Sequence, residues 1–303
     1  MNTFDKKAID KFISLSKKHH VLHKDGKTLS QIRSELKDAL ENKNDKCFIY
    51  KVLDNDIAYF IHAKHLFHQQ FQQNIISLRV YCKNNSALRK SFYKRINKVL
   101  HQFDKKSDSV IIKVYANDKS MNRRFKKNWF ASTTIGKMNT LYKATKDISI
   151  EDFKIKKIKK SELKHVSELE LEAHRKTPSS VMHKVFKSKN ANKMILSFYK
   201  SQALKRGFLV CKRKDEIVGC IGTVLDKKHS FAGIMTIFVS KKYQGQGISK
   251  ILYKSAIEKM KKENIKYLFG YSSTDSVLKY GKKIGRLPVI HSYKFKYTKS
   301  LKI

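Results

Sequence analysis

Acidic residues are scarce in this chain. Only 25 Asp and Glu stand against 67 Lys and Arg over 303 residues, a formal net charge of +42. That balance argues against a deep acidic cleft of the kind that holds polyamines. It gives a surface that attracts polyanions such as RNA, ribosomes or anionic membranes. Lysine is spread along the whole chain, however, so most of it solvates outer faces. Nonspecific polyanion affinity is expected; a specific nucleic-acid function does not follow from charge alone. Proline is nearly absent, at two residues, and no Gly/Ser-rich or low-complexity tract occurs, so a compact, fully folded protein is expected. The four cysteines, Cys47, Cys82, Cys211 and Cys220, form no CxxC pair and sit in or beside apolar runs, so they read as buried free thiols of a reducing compartment. No window approaches 18 apolar residues, so no membrane-spanning helix is expected. The first residues, Met-Asn-Thr-Phe-Asp-Lys-Lys, lack the apolar core of a signal peptide, and a cytoplasmic location is expected, with signal-less export left open.

What is present is 41% hydrophobic residues, enough for real cores in two domains of ordinary size. Residues 1–46 carry apolar positions at helical spacing. Strand-like runs follow at Cys47–Leu53, Ile57–Ala63 and Ile75–Cys82, then a helical stripe through Leu88, Phe92, Ile96, Val99, Leu100 and Phe103. Strand Ser109–Tyr115, a short helix Lys119–Trp129 and a strand around Met138–Lys143 close the first half. After the polar junction Asp147–Asp152 the plan repeats. Strand Phe153–Ile158 is followed by helix Leu163–Lys176, a break at Pro178 and helix Val181–Lys205. Strands Phe208–Lys212, Glu216–Val224 and Gly233–Val239 come next, then helix Ser249–Lys262, strand Tyr267–Tyr271, helix Asp275–Ile284 and strand His291–Tyr297. The halves can be laid on each other at Leu78–Tyr81 against Ile237–Ser240, which argues for a duplicated unit, with chance matching in a lysine-rich chain as the alternative.

The most informative stretch is strand Gly233–Val239, the turn Gln244-Gly-Gln-Gly-Ile-Ser249, and the helix-like run Lys250–Met260. A glycine-rich turn that opens a helix points bare N–H groups outward at the positive end of the helix dipole, a site suited to phosphate. Two generic phosphate motifs do not fit. No Walker spacing exists, and a dinucleotide fingerprint would need glycine where Lys250 stands.

The stretch resembles the coenzyme A loop of the GCN5-related N-acetyltransferase (GNAT) family, Gln/Arg-x-x-Gly-x-Gly/Ala after a strand ending in Val and before an amphipathic helix. Gln244, Gly247 and Ser249 take the motif places, with serine in the last. The resemblance implies an α/β fold built as two tandem acetyltransferase-like domains, each a mixed sheet flanked by helices. Residues 1–147 would be a degenerate copy and 153–303 the acetyl-CoA-binding domain. It also implies a diphosphate held by Gln244, Gly245, Gln246, Gly247, Ile248, Ser249 and Lys250, and a pantetheine arm and acyl carbonyl held by exposed backbone of Phe238 and Val239. The first half has lost the loop: Val80-Tyr-Cys-Lys-Asn-Asn-Ser-Ala-Leu88 contains no glycine.

The implied reaction moves acetyl from acetyl-CoA to an amine: a protein lysine or N-terminus, a small amine, or an amine on an RNA-bound molecule. A thiol of pKa about 8.5 leaves readily, whereas a lysine-type acceptor of pKa about 10.4 must first lose a proton. The family often places a tyrosine acid on the last helix. Aligned on Gly285 that place holds Gly281, with Tyr280 one residue early, so Tyr280 is either the acid or a core residue in line with Val277 and Ile284. Glu170, Glu172 and His174 either reach the acceptor side or form a solvated face; a water-relayed base is the default expectation. His62, His65 and His68 lack a carboxylate or cysteine to complete a metal set, and no metal is expected; His19, His20 and His23 are judged alike. Two rivals stand beside this reading: acyl or aminoacyl transfer from a tRNA-borne donor, and a non-catalytic RNA- or ribosome-associated module that binds acetyl-CoA.

Overall fold

The computed structural model describes residues 46–297 apart from 55, 69–72, 84, 104–106, 150, 176–185 and 229, together with residues 10, 14, 34, 36–39 and 41. The expected helical region 1–46 therefore lies largely outside the described residues, as do Pro178, His19, His20 and His23. By packing, the chain divides into two compact units, residues 1–132 with 289–303, and residues 133–288. The sequence-derived division at 147–153 falls within the second of these.

The first unit has a mixed sheet in the order β1 (Lys46–Leu53), β2 (Asp56–His68), β3 (Gln73–Cys82), β4 (Ser109–Tyr115), β11 (Leu287–Lys296). Neighbours are antiparallel except β3 and β4, which run parallel and are joined through helix α1 (Ser86–His101). Phe92, Ile96, Val99 and Leu100, one helical stripe, bury α1 against Leu78, Val80, Val110, Ile112 and Val114 of β3 and β4. Each such fully buried side chain stabilises the fold by roughly 1.5–3 kcal/mol relative to exposure. The last strand is far in sequence from its partner: Ile290–Lys296 of β11 pairs with Ser109–Tyr115.

Strand β2 runs unbroken through the histidine triplet. Because strand side chains alternate between faces, His62 and His65 point to opposite sides of the sheet. His62 packs on Phe48 and His65 on Phe103. After helix α2 (Lys119–Phe125) and a 3-10 turn at Lys126–Asn128 comes β5 (Trp129–Lys137). The segment expected as strand around Met138–Lys143 is instead helix α3 (Met138–Thr145). Its Met138, Leu141 and Thr145 recur at helical spacing and are buried, while the strand takes the preceding Trp-Phe-Ala-Ser-Thr-Thr-Ile run.

The second unit orders its strands β5, β10 (Tyr267–Ser272), β9 (Phe231–Val239), β8 (Glu216–Asp226), β7 (Leu209–Arg213), β6 (Phe153–Lys157), with β5 contributing from Thr133 onward. β6 to β9 form an antiparallel meander, and β9 runs parallel to β10. Helices α4 (Leu163–Arg175) and α5 (Ala191–Arg206) lie in the connection from β6 to β7; α6 (Ile248–Lys262) crosses from β9 to β10 and α7 (Asp275–Lys283) follows β10. The expected Val181 start of the second helix lies outside the described residues. α6 buries Ile248, Ile251, Leu252, Ala256, Ile257 and Met260, the stripe its sequence spacing predicts. No helix among the described residues is long and apolar enough to cross a membrane.

All four cysteines are free and buried. Burial pushes the thiols of Cys47 and Cys82 up to about 11 and that of Cys211 up to about 12, and raises Cys220 further in the same direction. Thiols so protonated and enclosed are poor nucleophiles. Iodoacetamide at pH 8 is expected to leave all four unmodified in the folded protein over a period in which the denatured chain labels completely, as read by intact mass. Rapid labelling of any one would contradict its burial.

Candidate functional site

The candidate features converge where β9 ends and α6 begins. β9 pairs with β10 only over Phe231–Gly233 against Tyr267–Phe269; beyond that point the two parallel strands diverge. On its other edge β9 stays paired with β8 to Val239, with a bulge where the register shifts between Gly222 and Thr223, leaving Met235 unpaired. Ser240 N–H donates to Val218 O at 2.8 Å. Alternation along an antiparallel ladder then turns the backbone groups of Phe238 and Thr236 toward β8, and those of Ile237 and Val239 toward the gap that β10 has left. Ile237 thus takes a place that sequence inspection did not single out, because edge polarity depends on register. Phe238 itself is buried.

The loop is anchored before it opens. After the 3-10 turn Lys241–Tyr243, Tyr243 is buried, packs edge-on to Phe153, and donates its hydroxyl to the Glu216 carboxylate. That hydrogen bond, with Lys242 nearby, lowers the Glu216 pKa. Gln244 folds back, its Nε2 donating to Val239 O at 3.0 Å, which ties loop to strand end. Gly245 and Gly247 both adopt left-handed φ, +84° and +80°, a region that side-chain-bearing residues enter at a cost. A Cβ on Gly245 would meet nothing within 4 Å, so it is the backbone conformation, not neighbouring protein, that asks for glycine there.

Helix α6 starts uncapped. No side chain bonds its first N–H groups and no acidic residue lies in its first turn. The N–H groups of Gly245, Gln246, Gly247, Ile248 and Ser249 have no backbone acceptor among the described residues, whereas Lys250 N–H bonds Gly247 O at 2.8 Å. Orphan donors at the positive end of a helix make an anion site, and Lys241, Lys242 and Lys250, close by in the chain, are exposed.

The first unit lacks each of these features at the corresponding place. β3 and β4 remain paired over Ile75–Val80 against Ser109–Val114, so no gap opens. The helix that follows is capped by its own chain: the Asn85 side chain accepts from Leu88 N–H at 3.0 Å.

Tyr280 sits on α7 with its ring edge-on to Tyr253, 5.6 Å between centroids, against the core of the second unit. Its hydroxyl is buried without a hydrogen-bond partner, and burial, with Tyr253 beside it, pushes the phenol up to about 12. The same core holds Arg286, 1% exposed, donating to Tyr253 Oη at 2.5 Å and Thr134 Oγ1 at 2.6 Å.

Glu170, weighed from sequence as part of a polar helix face, is buried at 6% exposure. It accepts hydrogen bonds from Tyr199 Oη and Thr236 Oγ1, both at 2.5 Å. His174, one turn along, has its Nε2 at 3.6 Å from Glu170 Oε1. A sequence signal for this was available: Leu163, Val166, Glu170 and Ala173 share one helical stripe, and Glu170 falls on it.

Residues 168–278 match the family model described as the acetyltransferase (GNAT) family. No curated protein matches the chain. Among solved structures, a GCN5-related N-acetyltransferase from Sphaerobacter thermophilus is similar at TM-score 0.51 and 13% identity, covering 91% of this chain and 90% of its own. A conserved protein of unknown function from Staphylococcus epidermidis reaches 0.49 at 13% identity, covering 84% and 95%. A tandem GNAT protein from the clavulanic acid biosynthesis pathway reaches 0.45 at 8%, covering 87% of each chain. The fold is that of the GNAT acetyltransferases, and residues 168–278 match the model of that family.

Proposed function

We propose that the second unit binds acetyl-CoA and transfers its acetyl group to an amine, and that the first unit is a degenerate copy that binds no acyl-CoA. The observation that carries this reading is the divergence of β9 from β10 beside an uncapped glycine turn, both absent from the first unit. The turn from Gln244 to Lys250 would take the diphosphate on its N–H groups, with glycine at 245 and 247 leaving room for close approach. The pantetheine arm would lie in the gap, hydrogen-bonded to the Val239 N–H on the edge of β9, the Val239 carbonyl already accepting from Gln244. Ile237 N–H faces the same gap and would polarise the acyl carbonyl, stabilising the oxyanion as the amine adds. Positioning and this polarisation supply most of the acceleration, and the thiol, of pKa about 8.5, departs without an acid. Tyr280 then serves the core between α6 and α7.

Titration calorimetry and a coenzyme A release assay with a mixed peptide and amine panel test this together. One acetyl-CoA site per chain and amine-dependent release are expected. Two equivalent sites would overturn the degenerate reading of the first unit. No acetyl-CoA heat, with salt-sensitive RNA binding and no turnover, would overturn the transferase reading in favour of a binding module. Acyl transfer from a charged tRNA in the absence of coenzyme A would favour the tRNA-donor alternative.

A further inference from the structure

We propose that the first unit carries a pocket of its own, between the start of α1 and α2, that takes a phosphate group from a small molecule. This site goes beyond the transferase reading and does not depend on it.

Helical spacing builds the two walls. Ser86, Arg89, Lys90 and Tyr93 stand at i, i+3, i+4 and i+7 on α1, a polar stripe beside the apolar one that buries the helix. Ser120 and Arg124 stand at i and i+4 on α2. Neither helix contains an acidic residue. The two stripes line one pocket of about 390 Å³, a size suited to a small ligand.

Each arginine reaches from its own helix to the other. Arg89 donates from Nη1 to Ser120 Oγ, and its Nη2 lies 3.4 Å from Oδ1 of Asp118, the residue that opens α2. Arg124 lies over the Tyr93 ring, its guanidinium carbon 4.7 Å from the centroid. These contacts fix the walls before any ligand arrives, which lowers the cost of binding.

Charge and hydrogen bonding both leave the pocket short of acceptors. Arg89, Lys90 and Arg124 bring three cations to it. Against them stands the Asp118 carboxylate, whose Oδ1 already accepts from Met121 N–H at 3.0 Å. Arg89 Nε is buried and has no hydrogen-bond partner among the described residues, a costly state for a charged donor. Burial raises the Tyr93 phenol above its ordinary value, against the pull of Arg124 and Arg89, so its hydroxyl remains a donor at neutral pH. A phosphate monoester, with three acceptor oxygens and a charge of about −1.5 to −2, matches this set of donors. A carboxylate has only two oxygens in one plane and would leave donors unused.

The surroundings narrow the ligand further. β3 and β4 stay paired beside α1, so no gap admits a pantetheine arm, and acyl-CoA is not the ligand. A polynucleotide needs phosphate positions repeated along a groove, whereas these donors converge on one pocket.

Calorimetric titration of inorganic phosphate into the intact chain tests the site, at about 0.15 M salt to screen diffuse surface attraction. Lys90→Gln and Arg124→Gln alter exposed side chains. Each is expected to weaken phosphate binding at least about 10-fold, the loss of one charge-assisted hydrogen bond. Lys98→Gln makes the same charge change in the last turn of α1 and should shift affinity less than about twofold. Hydrogen exchange should slow over Ser86–Tyr93 and Ser120–Arg124 when phosphate is added. An equal loss in Lys98→Gln, or no phosphate binding by the wild type, would overturn the proposal. So would binding that Gly247→Val abolishes and the pocket variants keep, which would put the anion on the α6 turn. RNA binding that the pocket variants abolish, with no phosphate binding, would replace the small ligand by a nucleic acid. Acetyl-CoA affinity should be equal in wild type and pocket variants, so this proposal and the transferase reading fail in separate titrations.

Discussion

Gly247→Val is expected to weaken acetyl-CoA binding by at least about 100-fold, or about 2.7 kcal/mol. Two effects add. Gly247 sits at φ +80°, and forcing a side-chain-bearing residue to left-handed backbone costs roughly 1–2 kcal/mol, more when it is β-branched. The turn would relax away from that conformation and withdraw N–H groups from the diphosphate, and each charge-assisted hydrogen bond lost costs about 1.5–3 kcal/mol. Stability should change little, because the loop is exposed at Gln244–Gln246 and anchored independently by Tyr243 and Gln244. Calorimetric titration of wild type and variant, with thermal melts alongside, reads both quantities. Undiminished affinity would remove the turn from the binding site.

Glu170→Ala is expected to destabilise the second unit by about 3–5 kcal/mol, since each buried donor left unsatisfied costs roughly 1–3 kcal/mol and a small cavity adds to it. Tyr199 Oη and Thr236 Oγ1 would both lose their acceptor. The same substitution made in a Tyr199→Phe, Thr236→Val background should cost much less, because removing both partners leaves no orphan. Urea denaturation of the four variants measures that coupling. A loss below about 1 kcal/mol would mean the carboxylate is more hydrated than its 6% exposure indicates.

The glycine turn was legible because its signals are local. Two glycines, a strand ending at Val239 and the stripe from Ile248 to Met260 lie within one short run, and each element forms where its period says it should. The final strand was legible as a strand but not as a partner. Nothing in His291–Tyr297 announces that Ile290–Lys296 pairs with Ser109–Tyr115, because β-propensity describes a half-buried surface and not the strand across from it. Strand Trp129–Lys137 was hidden by basic residues on both sides, and its neighbour Met138–Thr145 was mistaken for it: a short apolar run of mixed β-branched and aromatic residues does not reveal its own period. Glu170 looked solvated since Glu168 and Glu172 flank it. Only the position of Thr236 and Tyr199 in space explains why a carboxylate occupies the buried stripe. The first half's missing glycine turn was legible from the sequence alone. The closed β3–β4 pair and the Asn85 cap were not, because both depend on where the backbone sits.

The most direct test of the whole account is amide hydrogen exchange of the intact chain with and without saturating acetyl-CoA. Slowed exchange across Ile237–Lys250, with Leu78–Leu88 unchanged, is the predicted pattern. Protection at Leu78–Leu88, or at neither segment, would contradict it.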